Sequence, residues 1–524
     1  MATKYLYGAA VQGIQDFIFR TNKLKEIMGA SELVENICTN LFAHHLYSDK
    51  EKNNGKTYKE LLQEDKNAIV FAAGNIKYIF ENKTDCENLV AKFPMVVAIY
   101  APGITMSQAV VQYDDDNTNN GYASAIKILE TRLKTQRNKP QKNLNIGLMG
   151  IQRCRQTGLP AVIQMDNEYY DEASFKKLYQ HTFDNIACKD KKGKFIPRTS
   201  FSLCEKAFGE NNLSEQRIPY EVDKMTGDNS WLAVIHADGN GLGQIVMKIG
   251  SNPEKFKEFS QKLDAATINA FNKAYKEICP KNDNEIIPIR PIILSGDDMT
   301  MICRADIAIP FTRAFLENFE NETQGIITED DKVFTEGKIK DRLTACAGIA
   351  FIKSSYPFHY AYNMAETLCG EAKKNAKDSD TIKAGSELPQ SCLLFHKVQS
   401  SFISNYDTIL KQELTAADKV TSFQYGPYYL KVKEGYCTID TFIQTVNILC
   451  SPDNSLSSNI RNWLSIMCEN TALADQRAKR ILANIPDEPT KEVFNKAVEI
   501  VNNKCMAYDL ISIKSINTIK TNQK

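Results

Sequence analysis

Two stretches of this chain share one build: an apolar run, a short turn, and a second apolar run. The first is Ala68–Ala72, then Ala73, Gly74 and Asn75, then Ile76–Phe80. The second is Pro291–Leu294, then Ser295-Gly296-Asp297-Asp298, then Met299–Cys303. Such a pattern is a β-hairpin signature. A β-type run, Tyr5–Val11, and a helical stretch, Lys23–Leu46, precede the first hairpin; a strand at Met95–Tyr100 and a helix at Ser124–Thr135 follow it. The second hairpin is preceded by the apolar run Trp231–Ala237, ended by Asp238, and a helix Pro253–Ile278. It is followed by a strand Leu343–Phe351 and a helix His359–Ala376. The repeated order strand, helix, hairpin, strand, helix predicts an α+β protein built on a diverged duplication of a ferredoxin-like unit. The expected division is 1–190 and 215–388 for the two units, with a mostly helical segment, 389–524, behind them. Polar breaks at Ser451–Ser458 and Ile485–Thr490 interrupt that segment, and its last dozen residues are expected to fray.

With 524 residues, 43% hydrophobic and 24% charged, the chain can bury a core in each unit; disorder throughout and a disulfide-held miniprotein are excluded. Lys+Arg and Asp+Glu both number 64, so contact with nucleic acid must be local rather than spread over a basic surface. Between Thr131 and Arg155 there are seven basic residues and no acidic one, either a solvated face or a phosphate-facing patch. The basic stretch Lys189–Arg198, with Gly193 and Pro197, reads as a linker. No apolar run approaches the ~18 residues that span a bilayer. The first residues carry no signal-peptide pattern, and the 14 cysteines include no Cys-x-x-Cys. The expectation is a cytoplasmic protein with no membrane partner. Cys188 and Cys204 leave only a weak zinc option, and there is no adjacent His-Asp pair for a nuclease.

Acids carry the chemistry. Asp238 ends an apolar strand, and Asp297 and Asp298 sit at the tip of an apolar hairpin. Ionised acids beside a core are costly, because burial disfavours the charged form. A divalent cation removes that cost, and Mg²⁺ or Mn²⁺ favours a few carboxylates together with substrate phosphate oxygens, as in two-metal phosphoryl transfer. The plain alternative is a turn whose acids cap exposed backbone. Lys373 follows Glu366 and Glu371 on the last turn of a helix. It would reach triphosphate oxygens as a flexible point charge if that helix packs beside the hairpin, and is otherwise a solvated lysine. Other strings fall short. Gly239-x-Gly241-x-Gly243 is one residue short of the dinucleotide fingerprint, and counting from Asp116 as an EF-hand loop puts Lys127 where glutamate is needed. Gly426-Pro427-Tyr428-Tyr429 reads as a turn with core aromatics rather than a nucleobase shelf.

These strings resemble a known family. Ala237-Asp238-Gly239-Asn240-Gly241-Leu242-Gly243, Ser295-Gly296-Asp297-Asp298 and Ala372-Lys373 look like the second palm domain of the large subunit of type III CRISPR effector complexes, which is related to GGDEF and class III nucleotidyl cyclases. Gly13–Phe19 and Leu24–Ser31 look like the family's first palm, and Ala73-Gly74-Asn75 sits where that palm keeps a glycine-rich, acid-free hairpin. The resemblance covers residues 1–390. It implies two palms that bind two ATP molecules in the cleft between them. The 3′-hydroxyl of one attacks the α-phosphate of the other, and repetition and closure yield a cyclic oligoadenylate messenger of antiviral defence. RNA and other effector subunits are the implied partners. By the same resemblance Asp238 and Asp298 would be ligands of Mg²⁺ or Mn²⁺, and Asp297 a third ligand or an activator of the hydroxyl. Lys373 would neutralise triphosphate charge, Ser295 and Gly296 would border the nucleotide, and Gly74 and Asn75 would line the acceptor side.

Three departures accompany it. Ser295 replaces the first glycine of Gly-Gly-Asp-Asp, and Asn240 stands where relatives often place a second strand acid. The family's nuclease domain and zinc cysteines have no counterpart, so a reduced subunit or stand-alone relative is expected. The competing expectations are a cyclic-dinucleotide synthase and a non-catalytic scaffold that binds nucleotide, RNA or a defence partner. The joint presence of Asp238, Asp297 and Asp298 favours catalysis.

Overall fold

The computed structural model describes residues 3–47, 56–114, 121–139, 150–165, 167–179, 202–209, 215–226, 230–279, 285–327, 333, 341–377, 387–400, 405–451 and 456–517. Lys142, the stretch Lys189–Arg198, Cys188, Asp115–Asn117 and residues 518–524 lie outside them.

Four antiparallel strands form the first sheet, in the order β2-β3-β1-β4: β1 (Thr3–Gln12), β2 (Ala68–Ala72), β3 (Asn75–Phe80) and β4 (Thr105–Asp114). A small hairpin of β5 (Ile163–Met165) and β6 (Glu168–Tyr170) follows. The second sheet repeats the first order as β8-β9-β7-β10, from β7 (Trp231–Gly239), β8 (Ile289–Ser295), β9 (Asp298–Arg304) and β10 (Ala345–Lys353).

Two corrections complete the ferredoxin-like order. Residues 95–100 are not a strand but the end of the helix Lys83–Tyr100. Phe93, Val97 and Tyr100 are buried while Met95 is 61% and Ile99 55% exposed, a helical rather than an alternating period. Asn82 caps this helix and Pro94 lies inside it; the fourth strand is β4. In the second unit the helix Ala308–Glu322, not anticipated from sequence, occupies the matching place and buries Ile309, Phe311, Phe315 and Phe319. Both units therefore read strand, helix, hairpin, helix, strand, helix.

The chain after 387 is mostly helical, as expected, with two short strands in addition. β11 (Cys392–Lys397) joins the second sheet parallel to β10, and after the helix Tyr406–Gln412 comes the two-residue β12 (Tyr428–Tyr429). Five helices follow: Ile439–Leu449, Leu456–Glu469, Thr471–Asn484, Glu488–Val498 and Ala507–Asn517. Tyr428 and Tyr429 are fully buried core aromatics, with Tyr428 packed between Phe395 and Phe442.

β7 is a near-continuous apolar run because both of its faces are covered. Ala233, Ile235 and Ala237 face a core shared with the helix Pro253–Ile278 and the C-terminal helices. Leu232 and Val234 face the opposite way, into a core with Phe17, Ile27 and Leu33 of the first unit. Packing across the second sheet thus holds the two units together. No helix among the described residues is long and apolar enough to cross a membrane.

Candidate active site between two hairpin tips

Strand register brings the three aspartates together. Ala237 pairs with Met299, so Asp238, one step further along β7, lies opposite Asp298, the first residue of β9. Ser295 pairs with Asp298 across a two-residue turn of Gly296 and Asp297. Gly296 has φ +64°, which glycine adopts without a Cβ penalty; Ser295 sits in the strand and does not need that conformation. One carboxylate oxygen from each of Asp238, Asp297 and Asp298 lies within 4.8 Å of the others. Burial, then the Asp238 carboxylate, pushes the Asp297 carboxyl up to about 7. Burial, then Asp297 and Asp238, pushes Asp298 up to about 8. An all-oxygen donor set of this kind fits a hard divalent cation such as Mg²⁺ or Mn²⁺, whose charge would reverse the mutual repulsion.

Lys373 belongs to the same group. Its helix, Phe358–Ala376, lies directly on β10, because a Cβ on Gly348 would fall 2.0 Å from the Ala365 carbonyl oxygen. This close seat lets Lys373 pair with Asp238 and donate to the Gly239 carbonyl at 2.8 Å. Burial opposes the ammonium, but Asp238 outweighs it and the Lys373 pKa is raised. Glu366, two turns earlier, is pushed upward by burial and then by Asp238. Beneath them His236 meets Thr300 at 3.0 Å, and burial lowers the imidazole to about 4.

The acidic turn is held from three sides. The helix Pro253–Ile278 captures both backbone groups of Gly296: Asp264 accepts from its N–H at 3.1 Å, and Thr267 Oγ1 donates to its carbonyl at 2.6 Å. Lys206, on the helix Ser202–Phe208, lies 3.6 Å from Glu35 of the first unit and 3.7 Å from Asp264, and donates to the Leu294 carbonyl at 3.2 Å. The tip of the first hairpin supplies the third hold: the Ala73 N–H donates to Ser295 Oγ at 3.0 Å.

A cleft of about 370 Å³ opens beside these tips, lined by Gln15, Glu35 and Gly74 from the first unit and by Asp264, Ser295 and Asp298 from the second. Asn75 does not line it; its amide donates to the Ala73 carbonyl of its own turn at 3.0 Å. Asn240 also turns away from the triad. It is buried, and its amide donates to Thr344 Oγ1 at 3.1 Å and Cys346 Sγ at 3.4 Å. Sequence reasoning passed over Asp264, Thr267, Lys206 and Glu35. Glu366 carries one usable signal, its seven-residue spacing from Lys373 on one helix face. Of the basic patch, Arg132, Lys134, Arg137, Lys139, Arg153 and Arg155 are exposed. Cys204 is buried with its sulfur 3.1 Å from Arg290.

Two ferredoxin-like units that meet through their hairpins, one tip acidic and one not, define a tandem palm-domain protein. Residues 231–382 match the family model of the Cas10/Cmr2 second palm domain. The fold also matches crystal structures of Csm1–Csm4 cassettes. For the one in complex with pppApA, identity is 14% and TM-score 0.54, over 98% of this chain and 69% of that chain. For the one with one ATP the values are 13% and 0.53, over 99% and 70%. For the one with cA3 they are 15% and 0.51, over 99% and 69%. No curated protein sequence matches. Residues 231–382 thus carry a palm domain of the Cas10/Cmr2 second-palm type, and the chain as a whole shares the fold seen in the Csm1–Csm4 cassettes.

Proposed function

We propose that this chain is a metal-dependent nucleotidyltransferase that joins ATP units and closes them into a cyclic oligoadenylate, acting in the cytoplasm with RNA and other effector subunits as partners in CRISPR-type antiviral defence. The observation that carries this reading is the carboxylate triad of Asp238, Asp297 and Asp298, of which Asp298 lines a cleft formed by residues of both palms. The ligands of the Csm1–Csm4 cassettes that share its fold support the choice of adenine nucleotide.

In each step the 3′-oxygen of one ATP bonds to the α-phosphorus of the other. The bond from that phosphorus to the bridging oxygen of the β-phosphate breaks, pyrophosphate leaves with the electron pair, and the hydroxyl proton passes to water. The protein contributes positioning and charge rather than covalent chemistry. Asp238, Asp297 and Asp298 would hold Mg²⁺ or Mn²⁺, which when bound supplies neutralisation of phosphate charge and eases loss of the hydroxyl proton. Lys373, now paired with Asp238, offers its ammonium to the triphosphate. Ser295 borders the nucleotide on the acidic side and Gly74 on the acceptor side, while Gly296, which does not itself line the cleft, forms the turn that carries Asp297.

The test is release of pyrophosphate from ATP with Mg²⁺ or Mn²⁺, with and without target RNA, and the product's mass. Asp297→Ala with Asp298→Ala is expected to cut release at least ~10³-fold, the several kcal/mol of a metal site at about 1.4 kcal/mol per decade. A product of two nucleotides would move the assignment to a cyclic-dinucleotide synthase. Full release by the double variant would end the reading.

A further inference from the structure

At the other end of the second sheet, cationic side chains gather around one indole. Trp231 opens β7 and pairs in register with Lys353 of β10, while Lys397 of β11 pairs with Phe351. Trp231, Lys353 and Lys397 therefore share one face of the sheet. The Lys353 and Lys397 ammonium groups lie 4.3 Å and 4.4 Å from the centre of the Trp231 ring. Ser515, on the helix Ala507–Asn517, accepts a hydrogen bond from Lys397, and Arg461, on the helix Leu456–Glu469, lies close enough for its charge to act on Lys397.

Three lysines among the described residues are buried. Lys176 pairs with Glu172 at 3.5 Å, and Lys177 lies in the field of Glu26 and Asp171. Lys397, only 8% exposed, has Lys353 and Arg461 as its charged neighbours. Among the described residues no carboxylate forms an ion pair with Lys353, Lys397 or Arg461, in a chain with 64 acids for its 64 bases. Like charges gathered in one place repel one another, and an anion relieves that cost. Ammonium groups beside an arginine fork offer the convergent N–H donors that phosphate oxygens accept.

We propose that Lys353, Lys397 and Arg461, beside Trp231, form an anion site for a phosphate group, at the seam between the second palm's sheet and the C-terminal helices. Asp238 lies seven residues along β7, about 23 Å away at ~3.3 Å per residue, so this site is separate from the acidic cleft. It does not depend on the activity proposed above. A phosphate there ties the C-terminal helices to the start of β7, the strand that carries Asp238 near its far end. Its source is either a free polyphosphate or the backbone of a nucleic acid, which share this chemistry.

The full chain is tested in EDTA, carrying Asp297→Asn and Asp298→Asn to silence the cleft, and Trp463→Phe so that Trp231 is the only indole reporter. Sodium tripolyphosphate and a short single-stranded RNA are titrated separately while Trp231 emission is followed. A saturable change with at least one probe is expected, and Lys353→Glu with Arg461→Glu, both at exposed positions, is expected to weaken it at least ~10-fold. Saturation by tripolyphosphate identifies a free anion as sufficient; saturation by RNA alone identifies the backbone. Equal binding by the charge-reversed protein, with its fold verified by circular dichroism, overturns the proposal, as does no saturation by either probe at millimolar concentration.

Discussion

The two hairpin tips that touch through Ala73 and Ser295 have one topology and opposite chemistry. Register aligns them position by position. In the first sheet Ala10 pairs with Asn75, the first residue of β3; in the second, Asp238 stands opposite Asp298, the first residue of β9. Ala10, Gly74 and Asn75 thus occupy the places of Asp238, Asp297 and Asp298. The turns differ too. Ala73 and Gly74 both have positive φ, +50° and +75°, whereas in the second tip only Gly296 does. A turn with two left-handed residues suits small side chains. One with a single glycine leaves its second position open to a carboxylate. The comparison teaches that the acidic site rests on the turn's backbone form as well as on three side chains.

The largest effect expected from breaking this contrast is on pH-dependent stability. The Asp297 and Asp298 carboxyls are raised from an ordinary 3.8, so the folded chain holds protons that the unfolded chain releases. Their stabilising contribution is complete below about 3.8 and is lost as pH rises through about 7 and about 8. In EDTA the melting temperature should fall between pH 5 and 9, as the unfolding free energy drops by an amount on the order of several kcal/mol. Asp297→Asn with Asp298→Asn should flatten the profile. Mg²⁺ should raise the melting temperature more at pH 8 than at pH 6, since it binds ionised carboxylates. A flat wild-type profile in EDTA would mean the acids do not share a low-dielectric site.

The next effect sharpens the comparison from the other side. An acid cannot simply be moved onto the first tip, because Gly74 has φ +75° and a Cβ there would fall 2.6 Å from Ile14 Cδ1. Gly74→Asp should cost about 2 kcal/mol in urea unfolding, within the range for strained backbone positions, and should add no Mg²⁺-dependent stability. A neutral substitution would show that the first turn is free to change form.

Much of this was legible in the sequence because strands and turns are local. The helix Pro253–Ile278 was read to its ends, marked by Asn252 as cap and Pro253 in the first turn. Both hairpins and Asp238 followed from apolar runs ended by turn residues or an acid. The misread elements are those whose local signals conflict. Met95–Tyr100 is a six-residue apolar run behind a proline, and only the burial of Phe93, Val97 and Tyr100 reveals its helical period. β11 is an apolar run too short for periodicity to assign. The supports of the site were hidden for another reason. Asp264 and Thr267 lie on a long amphipathic helix, and nothing local says that they face Gly296, 32 and 29 residues away. Lys373 stood out through the resemblance rather than through charge.

The smallest expected effect tests the contact between the tips themselves. Ser295 Oγ is the acceptor for the Ala73 N–H, a bond that the glycine of the family's pattern could not make. Ser295→Gly should keep the turn, because Gly296 carries its left-handed position, and should remove only this link. A net hydrogen bond is worth about 1 kcal/mol, so a loss of that size in unfolding is expected, with a rise of about 5-fold in KM for ATP and little change in kcat. That split follows if the first palm positions one nucleotide while the acids on the second act on the other. A fall in kcat with KM unchanged would place Ser295 with the reacting groups instead. No change in either KM or stability would show that the two tips meet without cooperating.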